Sequence, residues 1–182
     1  MKDRFIYQVA VESFFVRALG SRLDTVARAR LREAGLALDE PLLSVYPSEV
    51  FHRCVSIAAQ AAFPEHGVEE ACLHAGRAHI DAFIQSYSGK MMAALARQIS
   101  PQMILDYTAT FIRLGNNFTE SRARPSGPNR SELWLNDAGG VPEWYAGVLE
   151  RGLEVSNVKG VEVRVAAADP PAATYDVSWT GR

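Results

Sequence analysis

The stretch Ser131–Glu154, SELWLNDAGGVPEWYAGVLERGLE, joins a strand, a break and a helix with almost no loop between them. SELWLN reads as a strand with a period of two, ending where Gly139 and Gly140 interrupt it. Pro142 then opens an amphipathic helix to Val155, because the missing proline N–H would have no intrahelical partner in the first turn. The two glycines supply the positive φ angles of a tight reversal. The helix is therefore predicted to pack back across the strand that carries Trp134.

Working outward, FTESRARP (Phe118–Pro125) alternates before the turn-rich PSGPN, which predicts an antiparallel hairpin with SELWLN. VEVRVAA (Val161–Ala167) and TYDVSW (Thr174–Trp179) repeat the alternation around ADPPAA. Before Asn116 helical spacing prevails instead, with LALDEPLLSVY (Leu36–Tyr46) as a connector. Helices are predicted over Asp3–Leu19, Arg22–Gly35, from YPSEV (Tyr46–Val50) onward, Val68–Tyr87, Lys90–Ile99 and Pro101–Gly115. Val50, Cys54, Ile57, Ala58 and Ala61 make the stripe of the third. Ala71, Ala75, Ala78 and Ala82 let the fourth approach its neighbours closely. The order predicts an α+β fold in which a helical N-terminal part packs on a four-stranded antiparallel sheet with one crossing helix. One domain over 1–182 is expected, with a helical part (1–115) and an α/β part (116–182).

A length of 182 residues with 48% hydrophobic residues suits one domain that buries most of its apolar surface. The net charge of -2, with lysine only at positions 2, 90 and 159, leaves no basic face for nucleic acid. No stretch reaches the roughly 18 apolar residues of a membrane span. Cys54 and Cys72 both sit in apolar helical patterns, where free cysteine behaves as a small hydrophobe. No disulfide is expected, and a reducing cytoplasm fits.

Chemistry-bearing patterns are sparse. His74 and His79 are five residues apart, so on a helix they point away from each other and cannot share a metal. Glu70 and His74 share a face at i, i+4, read as an exposed helix contact rather than a metal pair. SYSGK is neither a nucleophile elbow nor a phosphate loop. Asp39, Glu40, Glu69 and Glu70 lie in a connector or at a helix start, where carboxylates meet solvent or the helix dipole. No catalytic residue, metal ligand or cofactor is predicted, and the chain is not expected to be an enzyme.

The element order, YPSEVFHRCVSIAAQAA followed by a long helix, GVPEWYAGVLERGLE…GVEVRV and the closing YDVSW together resemble the haem nitric-oxide/oxygen sensor family. The likeness runs over nearly the whole chain and implies that family's fold. In the family, a histidine near the end of the helix before the sheet binds haem iron. A Tyr-x-Ser-x-Arg run in the second strand holds the propionates. Here that helix ends FIRLGNNF, without histidine, and the run falls on Trp134, Asn136 and Ala138. The chain thus resembles the fold without its haem grip. It is also similar to an uncharacterised myxobacterial family of paralogous proteins of about this length.

The resemblance implies a haem-free, sensor-like domain that binds a small apolar ligand or a signalling partner. The pocket candidates are Tyr107, Phe111, Trp134 and Trp144. Two alternatives stay open: an interaction module or homodimer whose aromatic residues simply fill the core, and a gas sensor with altered haem ligation.

Overall fold

A computed structural model describes residues 3–181. Its first element departs from the sequence reading. Phe5–Tyr7 (β1) is a strand paired antiparallel with Val45–Pro47 (β2), Ile6 lying opposite Tyr46. Asn117 Oδ1 accepts the Phe5 N–H at 2.8 Å. Both partners are remote in sequence, so no local period announces the strand. Helix α1 begins at Gln8 and passes from Glu12 to Ala18 into a π-helical stretch, with Leu19 N–H on the Phe14 carbonyl at 3.1 Å. The wider turn lets the consecutive Phe14 and Phe15 both face inward, each fully buried.

Helices α2 (Thr25–Glu33), α3 (Ser48–Ala62) and α4 (Val68–Phe83) follow, the first capped by the Asp24 carboxylate on Ala27 N–H at 2.7 Å. Ser86 caps α5 (Tyr87–Ala96) through Gly89 N–H at 3.0 Å, which starts that helix three residues before its predicted position. The helix predicted from Pro101 to Gly115 is two segments, α6 (Pro101–Asp106) and α7 (Thr108–Ile112). They part at Tyr107, where φ is -92° and ψ 8°. The reason is tertiary: the Ala109 N–H bonds Ser121 Oγ at 2.9 Å.

The sheet has the order β3-β4-β6-β5, all antiparallel: β3 Ser121–Gly127, β4 Arg130–Leu135, β5 Glu162–Asp169 and β6 Ala172–Ser178. Helix α8 (Pro142–Val155) crosses between β4 and β5 in the chain. The fold is α+β as the sequence implied. Leu133 pairs with Tyr175, Leu135 with Ala173 and Ser131 with Val177, and all six are buried on the helix-facing side. Trp134, one residue out of step, lies on the other face beneath the Arg122 guanidinium, 5.0 Å from its ring.

Helices α4 and α8 run side by side in the same direction. A Cβ on Gly76 would stand 2.1 Å from the Trp144 carbonyl oxygen, and one on Gly147 would stand 2.1 Å from that of Leu73. Each glycine therefore admits the other helix's backbone. Salt bridges flank the crossing: Arg77 with Glu150 at 2.7 Å and Glu154 at 3.0 Å, and Arg151 with Asp81 at 2.7 Å. Among the described residues no helix is long and apolar enough to cross a membrane.

Candidate functional site

Beyond the glycine crossing, the C-terminal turns of α4 and α8 meet α5, α6 and α7 around an apolar cleft of about 120 Å³. Ile80 and Phe83 come from α4, Ile84 from the residue that caps it, and Val148, Leu149 and Leu153 from α8. Met92, Ile104, Leu105 and Phe111 close the other sides, and the half-exposed Leu114 stands at the mouth. Two lining hydroxyls are engaged with backbone: Thr108 Oγ1 donates to Ile104 O at 3.4 Å and Ser156 Oγ to Gly152 O at 2.8 Å. A bound molecule would meet hydrocarbon almost everywhere. For scale, a cavity of roughly 150 Å³ lined by Leu, Ile and Phe stays dry and takes benzene.

Of the four residues proposed from sequence, only Phe111 lines this cleft. Tyr107 is half exposed at the break between α6 and α7. Trp134 lies on the sheet's outer face. Trp144 is buried on α8, but in a packed aromatic cluster on the far side of the glycine crossing. Its ring stacks on His79 at 5.5 Å with 26° between planes, and meets Phe14 at 5.6 Å and Phe51 at 5.7 Å edge-on. Sequence reasoning overlooked the aliphatic residues that make the wall, such as Ile80, Leu149 and Leu153. Their helical spacing was visible, but an apolar stripe does not say whether it meets side chains or space.

The aromatic cluster also holds two histidines. His52 Nε2 sits 3.2 Å from Tyr145 Oη. Burial lowers the His52 pKa to about 4, against a smaller opposing pull from Asp137. Burial likewise lowers His79 to about 4, and its Nδ1 and the Trp144 Nε1 are buried without a hydrogen-bond partner. Asp137 is 4% exposed, pairs with Arg4 Nη1 at 2.7 Å and accepts the Gly139 N–H at 2.8 Å. Gly139, at φ +54°, lies so close to the His52 ring that a Cβ would fall 1.8 Å from Nδ1. The Gly139-Gly140 break is thus shaped by α3 as much as by the turn.

The lining offers haem little to hold. It contains no imidazole, thiolate or phenolate, and Met92 supplies its one sulfur. No lysine or arginine lines it to meet propionates. All four histidines stand outside it. The cleft is also far smaller than a tetrapyrrole. The residues present do not fit haem.

Comparison with solved structures places this architecture among H-NOX domains. The Fe(II) unliganded H-NOX protein from K. algicida superimposes with a TM-score of 0.67 at 10% identity, over 97% of this chain and 98% of that one. The I5F mutant of T. tengcongensis H-NOX gives 0.63 at 11% identity, with 97% and 98% covered. An oxygen-binding H-NOX domain related to soluble guanylate cyclases, solved as its oxygen complex, gives 0.62 at 12%, with 97% and 95% covered. The chain has an H-NOX-like fold. Residues 4–180 match the model of the protein family of unknown function DUF2378, and the chain belongs to that family. No curated protein matches it.

Proposed function

We propose that this chain is a non-enzymatic, haem-free sensor-like domain that binds one small apolar molecule in the cleft between α4, α5, α6, α7 and α8. The observation that carries this reading is the lining: aliphatic and aromatic side chains around about 120 Å³, with Thr108 and Ser156 both bonded to helix carbonyls. Such a site selects by shape and apolar area rather than by hydrogen bonds. Five helices converge on it, so occupancy changes how they pack. A cytoplasmic home fits the buried free thiols of Cys54 and Cys72, which burial pushes up to about 11 and so leaves protonated.

The experiment is a titration with benzene followed by methyl NMR, alongside native mass spectrometry of freshly purified protein. The reading expects saturable shifts at the methyls of Ile80, Ile104 and Leu149 while Val177 in the sheet stays still. No saturable shift at those methyls would end it. A Soret band after incubation with haem would end the haem-free part.

A protein partner is a second reading with its own observation. Tyr87, Met91 and Leu95 follow i, i+4, i+8 spacing on α5 and are 80%, 50% and 61% exposed. An apolar stripe left in water on one helix face fits a binding surface. Concentration-dependent light scattering, with and without Met91→Glu, tests its self-association form.

A further inference from the structure

On α4 alone, Glu70 and His74 read as a surface contact. The turn before the helix changes that, because it folds His66 back over the first turn of α4. His66 Nδ1 lies 3.0 Å from Glu70 Oε2, His74 Nε2 lies 3.9 Å from Glu70 Oε1, and the two imidazole centroids are 4.5 Å apart. One ligand atom from each of the three residues falls within 4.8 Å of the others. Atoms bound to one tetrahedral Zn²⁺ at about 2.0–2.1 Å stand roughly 3.3 Å apart. The cluster is therefore within a small side-chain rotation of closing on an ion. With His66 26%, His74 38% and Glu70 58% exposed, the side chains have room to make that rotation.

We propose that His66, Glu70 and His74 form a binding site for a divalent transition-metal ion of the Zn²⁺ class. Glu65 supports the assignment. Its Oε1 lies 3.4 Å from His66 Nε2, close enough to take that N–H after a small rotation and so leave Nδ1 for the metal. Metal-bound histidines characteristically give their second ring N–H to such a carboxylate. Glu65 and Glu70 bring negative charge to the cluster, and no lysine or arginine occurs in the sequence between Arg53 and Arg77, the nearby cation being Arg22, which lies over the Phe63 ring at 4.7 Å. Two imidazoles and a carboxylate suit Zn²⁺, Ni²⁺ or Cu²⁺ rather than Mg²⁺ or Ca²⁺. Three protein ligands leave a fourth position to water. Bound metal would pin the Pro64–Gly67 turn to the start of α4. It lies apart from the apolar cleft and does not depend on the function proposed for it.

The test titrates Zn²⁺ into tag-free, chelator-stripped full-length protein, read by calorimetry and by histidine ring NMR. One equivalent should bind, shifting the ring signals of His66 and His74 and leaving those of His52 and His79 in place. His66→Ala and His74→Ala should each abolish stoichiometric binding. Glu65→Gln should weaken it about 10- to 100-fold, whereas Glu69→Gln should leave it unchanged. Far-UV circular dichroism of each variant in chelator keeps loss of folding separate from loss of ligands. Absent binding by the parent would overturn the proposal. So would binding kept by the double histidine variant, ring shifts at His52 or His79 instead, or Mg²⁺ held as tightly as Zn²⁺.

Discussion

Where Gly76 and Gly147 meet, α4 and α8 touch backbone to backbone, and Phe14, Phe51, His79 and Trp144 fill the space beside them. Farther along the same two helices, Ile80, Phe83, Leu149 and Leu153 surround a cleft of about 120 Å³. Both regions are apolar, and both draw on the same pair of helices. They differ in what sets the spacing. At the crossing, missing side chains let the backbones close and bulky rings take the surrounding volume. At the cleft, branched side chains of the two helices face those of α5, α6 and α7 and leave space between them unfilled. Composition alone does not separate a packed region from a receptive one.

The comparison breaks first at the glycines. Gly147→Val should cost more than about 4 kcal/mol, in the range reserved for severe backbone clashes. A melting temperature near the parent's would show that the helices are not in backbone contact. Trp144→Ala should cost roughly 3–5 kcal/mol by removing a buried ring from the cluster. Phe111→Ala at the cleft, where space already exists, should cost visibly less in the same denaturant titration.

Acid should find the packed region before the cleft. Unfolded histidines hold protons up to about pH 6.5, whereas His52 and His79 in the fold hold them only up to about 4. Between these values the unfolded state binds more protons, so stability falls as pH drops. The loss should reach about 2 kcal/mol per histidine by pH 5, and His79→Phe should remove its share. An identical acid limb in parent and variant would show that His79 is not buried neutral. The smallest effect lies in the cleft. Ala93 of α5 also lines it, and Ala93→Leu should fill it, raising stability by about 0.5–2 kcal/mol and abolishing benzene shifts. Benzene binding that survives the change would place the ligand elsewhere.

Much of this architecture was legible because it is local. Pro101 and Pro142 open their helices in the first turn as their positions imply, and the double glycine at 139–140 does adopt φ of +54° and +74°, whereas α2 starts at Thr25 behind its Asp24 cap, three residues after the predicted Arg22. The site was less legible. Trp134 looked like a core residue by size, yet strand parity with Leu133 and Leu135 sends it outward, and only pairing to β6 fixes which parity is buried. Phe111 was found through its helical stripe. The rest of the wall was not, because no pattern in one helix reports the distance to the next. His66 escaped notice because it precedes α4 and so belongs to no helical face.

The amino-acid sequence by itself determined the strand–strand–helix–strand–strand order after Asn116, the α+β class and the absence of a histidine from the α6–α7 segment, since each follows from residue identity and short-range periodicity. Tertiary structure alone decided that Phe5–Tyr7 is a strand, that the helix from Pro101 bends at Tyr107, that α4 and α8 close at one end and leave a cleft at the other, and that His66 joins Glu70 and His74. Each of these depends on groups brought together from separate segments. Their hydrogen bonds and packing are set by distances in space that no local spacing along the chain encodes.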